Sequence, residues 1–250
     1  MQYLEQLLIK ATQVRRLTES SCPIDRTEAY VTGFNSWLHH APVPARPIWE
    51  TALFESSVLA EASYFLAAHG FYEEACALLR GLLDGFLARS YWDVLDKNGE
   101  LKKWRQGGRS TNQYWEWESG KTGKYPRLVD VWHALLGEHR IASYDQRYGL
   151  KAQVKEELAR LNRFVHGRPE TRHYSGASRS SLANIEFKME RFEEWYEHLR
   201  TAYRLVSVLS FLQYPELPGS TGGQEFRALE PEAAHQVAGV LGWRSADDTG

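Results

Sequence analysis

Between Pro47 and Phe86, large apolar residues recur three and four apart with one interruption, at Gly70. Phe54, Val58, Leu59, Ala62, Phe65 and Leu66 share one side of the first stretch, and Ala75, Leu78, Leu79, Leu82, Leu83 and Phe86 line the second. That spacing is the repeat of one helix face; a strand, whose faces alternate at every residue, does not produce it. Two such stretches meeting at a glycine predict an antiparallel helical hairpin. The three prolines between 42 and 47 cannot lie inside a helix, but Pro47 suits the first position of one.

The same repeat predicts further helices. One spans roughly 2–20 through Leu4, Leu7, Leu8 and Ala11, and a second runs from about Asp25 to His40. Others carry Leu128, Val131, Trp132 and Leu135; then Leu150, Val154, Leu158, Leu161 and Val165, capped by Gly167; then Ile185, Met189, Phe192, Tyr196, Leu199, Tyr203 and Val206. No strand-like alternation persists beyond a few residues. The expected architecture is an all-α antiparallel bundle over 47–214, with N-terminal helices (1–46) packed on it. Residues 215–250 read as a linker, PELPGSTGGQ, then a short helix and a tail. Residues 97–124, rich in Gly, Lys, Arg and Trp without an apolar period, read as a basic insertion loop with a short helical turn.

Composition narrows the function classes. The chain is 43% hydrophobic with nine tryptophans, enough for a sizeable core and inconsistent with wholesale disorder. Two cysteines make neither a disulfide framework nor a cysteine-rich zinc site, which points to a reducing, cytoplasmic setting. No run approaches the ~20 apolar residues of a membrane span, and no basic segment precedes an N-terminal apolar run, so neither a membrane nor a signal peptide is expected. The net charge of −2 hides a division: residues 97–180 hold 17 basic and nine acidic residues, a net of +8, leaving −10 for the rest. Lys102, Lys103, Arg105, Arg109, Lys121, Lys124, Arg168 and Arg172 lie in this basic stretch, interleaved with Trp104, Tyr114, Trp115, Trp117 and Tyr125. Cations among aromatics suit phosphate contact plus base stacking, so RNA is the expected partner; the plainer reading is a solvated loop with its aromatics folded onto the bundle.

Phosphate-binding glycine loops, the His-Glu-x-x-His helix and the Gly-x-Ser-x-Gly elbow are missing from the sequence, so no cofactor and no metal are expected. The segment LARLNRFVHGRPETRHY differs from its surroundings. Asn162 and His166, four apart, share a stripe at the margin of the core face, while Arg160 and Arg163 lie on a more exposed side. A histidine at such a margin is suited to moving a proton, and arginine to gripping a phosphate. The plainer reading of His166 is a helix-end histidine bonded to a backbone carbonyl.

With these residues in view, the chain resembles the HEPN superfamily. The resemblance covers roughly 48–213 and rests on the hairpin SYFLAAHGFYEEACALLRGLLDGFLARSYW, with Arg80 and Asp84 matching an Arg-x-x-x-Asp/Glu, and on LNRFVHG at a later helix end. It implies a helical bundle, a homodimer that pairs an Arg-x(4–6)-His motif from each subunit in a cleft, and metal-independent cleavage of RNA by 2′-hydroxyl attack. It also implies a toxin–antitoxin or phage-defence setting, with an antitoxin or other defence protein as partner. Carried onto this chain, His166 is the acid/base, Arg160 or Arg163 grips the phosphate, Asn162 orients it, and Arg80 and Asp84 support the region. The match departs from the family at Leu161, which stands where the arginine of Arg-Asn-x-x-x-His falls. The spacing itself is unspecific: Arg127/His133, Arg160/His166, Arg168/His173 and Arg191/His198 all satisfy it, and only the second sits at a helix end. The alternative is a non-catalytic HEPN-like scaffold or binding module, with Arg80–Asp84 as a bundle salt bridge.

Overall fold

The computed structural model describes residues 2–39, 46–106, 109–121, 125–165, 185–217 and 220–243, with side chains for all of these except 2–3, 38–39, 104–106 and 109–110. Helices α3 (Pro47–Ala68) and α4 (Tyr72–Lys97) form the expected hairpin. Gly70 turns the chain at φ +86°, in the left-handed region, and a Cβ there would lie 3.0 Å from Val14 and 3.1 Å from the Glu186 carbonyl oxygen. Both the backbone angle and the space call for glycine.

The buried side of α3 is not the side its large residues suggest. Phe54, Val58 and Phe65 are 58%, 46% and 59% exposed, while Ala52, Ser56, Ala60, Ser63 and Ala67 are buried. Small side chains let α4 come close, and the serines find partners: the Ser56 hydroxyl donates to the Ala52 carbonyl at 2.7 Å and that of Ser63 to the Ala75 carbonyl at 2.8 Å. Ser63 also accepts from the Trp195 indole at 2.8 Å, which ties a third helix to the pair.

That third helix is α9 (Met189–Gln213), which starts four residues later than Ile185, although Ile185 itself is buried. Nearly every residue of α9 from Ala202 to Gln213 is buried, as a helix running through the middle of a bundle must be. Helix α8 (Leu150–Val165) packs on both α4 and α9 through Leu150, Val154, Leu158 and Leu161; Val165, at its end, is 49% exposed. Before it come α6 (Leu128–Gly137) and α7 (His139–Tyr148), the latter not anticipated as a separate helix. Helix α1 (Gln2–Ser21) buries Ala11, Val14 and Thr18 and exposes Leu4 and Leu8; α2 (Ile24–His39) buries Tyr30, Phe34 and Trp37.

Two segments are more ordered than their sequences suggest. The expected linker contains the start of α10 (Thr221–Leu229), capped by the Ser220 hydroxyl accepting from the Gly223 amide at 3.2 Å. A Cβ at Gly222 would meet the Trp37 ring at 2.9 Å, so a glycine that reads as linker is a packing requirement. With α11 (Pro231–Leu241), α10 brings Phe226, Ala233, Ala234 and Val237 into the main core. In the basic insertion, β1 (Lys103–Gln106) and β2 (Arg109–Asn112) form an antiparallel hairpin, followed by the short α5 (Gln113–Glu118). Buried Arg89 of α4 holds this insertion: its Nη2 lies 2.7 Å from Glu55 and 2.9 Å from Glu118, and its guanidinium stands 5.3 Å over the Trp117 ring. The fold is all-α with this one small hairpin among the described residues. No described helix is long and apolar enough to cross a membrane.

Candidate functional site

Helix α8 distributes its polar residues around its circumference, about 100° per residue. Asn162 faces α4, where its side-chain oxygen accepts from Arg80 Nε at 2.9 Å. Arg80 in turn pairs with Asp84 one turn on. Asn162, expected to orient a phosphate, and Arg80 and Asp84, expected to support its region, therefore form one cluster. The Arg80 side chain is only 17% exposed and Asp84 is 39% exposed. Burial pulls the guanidinium pKa down from its ordinary value. Arginine nevertheless remains protonated in proteins, so its charge is balanced by Asp84.

Two members of this cluster, Arg80 and Asp84, line a half-open cavity of about 240 Å³. Arg80, Asp84 and Leu87 of α4 line one side, Leu158 of α8 another, and Tyr125 and Leu128 the remainder. Tyr125 is 60% exposed, its ring held edge-on to Trp117 at 5.2 Å.

The two arginines proposed to grip phosphate do not join this cluster. Arg160 lies 3.4 Å from Glu157, and Arg163 pairs with Glu194 of α9, which also takes Arg191 at 2.8 Å. Arg163 also lies 4.7 Å over the Phe164 ring. Glu194 thus serves as an anchor for two arginines. His166 lies outside the described residues, as do Lys124, Arg168 and Arg172 and the side chains of Arg105 and Arg109. Lys102, Lys103 and Lys121 are exposed, Lys103 at 3.2 Å from Asp96. Of the aromatics interleaved with these cations, Tyr114 and Trp117 are turned into a small core with Ile48, Ala88 and Leu101, so they cannot stack on bases. Trp115 and Tyr125 face outward.

Sequence reasoning missed a second polar pair. Glu157 and His198 are 2% and 0% exposed, and His198 Nδ1 sits 2.5 Å from Glu157 Oε1. A carboxylate at that distance assigns the Nδ1 proton. Nε2 is buried without a hydrogen-bond partner among the described residues, and the Phe164 ring stands edge-on at 5.9 Å. The signal was present: Glu157 falls between Val154 and Leu161 on the core stripe, and His198 between Trp195 and Leu199. Of the four Arg/His spacings, Arg191/His198 is thereby a sealed core histidine, and His133 is exposed. Among the described residues no three His, Cys, Asp or Glu side chains converge as a metal site. Burial pushes the Cys22 thiol up to about 11 and the Cys76 thiol higher still, so neither is an activated nucleophile.

Fold and site together define an all-α bundle with one polar cluster that opens on a cavity and one that is sealed. In comparison with known proteins, the chain matches no family model, no curated protein and no solved structure.

Proposed function

We propose that this chain is a HEPN-like protein that cuts single-stranded RNA by attack of a 2′-hydroxyl on the adjacent phosphate, in a defence or toxin–antitoxin setting. The observation that supports the reading is the hydrogen bond from Arg80 to Asn162 at the edge of an open cavity. It supplies, from a different helix, an arginine beside the asparagine, whose own chain neighbour is Leu161 where an arginine is expected. In this reading Asn162 and Arg80 position the phosphate and its flanking nucleoside. His166 takes the 2′-hydroxyl proton as the 2′-oxygen–phosphorus bond forms. The bond to the 5′-oxygen breaks, and that oxygen leaves with a proton taken from water, giving a 2′,3′-cyclic phosphate end. Lys102, Lys103 and Lys121 attract the RNA backbone. Purified full-length protein should cut RNA in the presence of EDTA and leave cyclic phosphate ends. His166→Ala should slow the cut at least 100-fold, the scale of general acid–base catalysis. RNA left intact both with and without divalent cations would overturn the reading.

One observation favours a binding module instead. Phe54, Val58 and Phe65 form an exposed apolar row along α3, the kind of face a second copy or a partner protein covers. On that reading the protein acts by assembly, and His166→Ala leaves its biological activity intact.

A further inference from the structure

The cavity between α4, α6 and α8 has features that select a ligand more narrowly than RNA as a class. At about 240 Å³ it is below the roughly 300–1,000 Å³ of pockets that enclose drug-sized ligands, so it takes one ring system and not a whole nucleotide. Its walls are aliphatic, from Leu87, Leu128 and Leu158, and Tyr125 offers an exposed ring held in place by Trp117. Apolar walls with an aromatic at the mouth suit the faces of a planar base.

The polar edge of the cavity decides which base. Among the described residues Arg80 is the one cation lining it, and its charge is matched by Asp84 while its Nε is given to Asn162. What this pair leaves for a base inside the cavity is the Asp84 carboxylate. Asp84 meets Arg80 through Oδ2 and is 39% exposed, so its second oxygen, Oδ1, is not taken by that pair. A carboxylate with free lone pairs is an acceptor only, so its ligand must present donors. Guanine places two donors, N1–H and the N2 amino group, side by side on one edge. Adenine and cytosine place a donor beside an acceptor, and uracil flanks its single donor with two acceptors.

We propose that this cavity is a guanine subsite, with Asp84 accepting from the N1–H and N2 amino edge and Tyr125 stacking on the base. The proposal takes its ligand class from the RNA reading above, but the site itself binds without any cleavage. The test is titration calorimetry on the full chain with GMP, IMP, AMP, CMP and UMP, and with the single-stranded RNA GUGUG. GMP should bind at least tenfold tighter than the other four; IMP, which lacks the N2 amino group, isolates that contact. GUGUG binding tighter than GMP identifies RNA as the source of the base, and GMP binding as tightly as GUGUG identifies the free nucleotide. Asp84→Asn, which puts an amide donor where the carboxylate accepts, should erase the preference. Tyr125→Ala, at an exposed position that leaves the fold intact, should weaken all five nucleotides together. Equal binding of all five nucleotides, or a GMP preference that survives Asp84→Asn, overturns the subsite. A GMP preference in a protein that cuts no RNA would overturn the nuclease reading and leave the subsite standing.

Discussion

Helix α8 faces two polar clusters, Glu157 with His198 on its α9 side and Asn162 with Arg80 on its α4 side, and the two differ in their access to water. Glu157 and His198 are fully buried, with the Phe164 ring edge-on to the histidine, whereas Asn162 is bonded to Arg80, which lines an open cavity. A sealed pair repays the cost of burying charge through a short hydrogen bond and leaves nothing for a ligand. A half-exposed cluster has spare lone pairs and solvent access, which is where binding and chemistry can occur. The residue types alone would have ranked the pairs the other way, since the sealed one contains the histidine.

The comparison can be broken first at the sealed pair. Glu157→Ala leaves the His198 ring buried without its acceptor and should cost about 3 kcal/mol, between a lost buried hydrogen bond and a broken buried ion pair. Urea denaturation measures it. A loss below about 1 kcal/mol, the net worth of one ordinary hydrogen bond, would show that the pair is not sealed in solution. Asn162→Ala should behave in the opposite sense. It removes one part-buried hydrogen bond, worth about 1 kcal/mol, but should reduce RNA cleavage at least tenfold by leaving Arg80 without its orienting partner. Wild-type turnover in this variant, at equal folded fraction, would separate the cluster from the chemistry. The smallest effect belongs to the outer face of α3. Phe54→Ser exchanges an exposed ring and should change stability by no more than about 0.5 kcal/mol. A concentration-dependent drop in melting temperature larger than that would mean this face is covered in solution and would favour the assembly reading.

The helices were legible where the apolar repeat was long. The α3–α4 hairpin, α6, α8 and α9 appear near their expected positions because each carries several core residues at helical spacing. Helix α7 was not, since only Ile141, Tyr144 and Tyr148 mark it among polar residues. Helix α10 was hidden by Gly222 and Gly223, which local rules assign to a linker, although Trp37 requires the first of them for close approach. On α3 the period identified the helix but not its inner face. Side-chain size suggests that Phe54, Val58 and Phe65 point inward, yet a helix packed tightly against α4 needs Ser56, Ala60 and Ser63 there. In the basic insertion the composition marked an exposed segment, but Arg89, fourteen residues before its β-hairpin opens at Lys103, draws Glu118 and Trp117 inward.

By itself the sequence determined that this chain is helical, that its charge is divided and that polar residues gather near the end of α8, because each of these is a property of local spacing or of a sum over residues. Only the tertiary structure decided which of those polar residues meet. Arg80 and Asn162 are 82 positions apart, and Glu157 and His198 are 41 apart. Whether such residues touch depends on the rotation and crossing of packed helices, and a few tens of degrees about α8 decide whether an arginine faces a cavity or another helix's carboxylate.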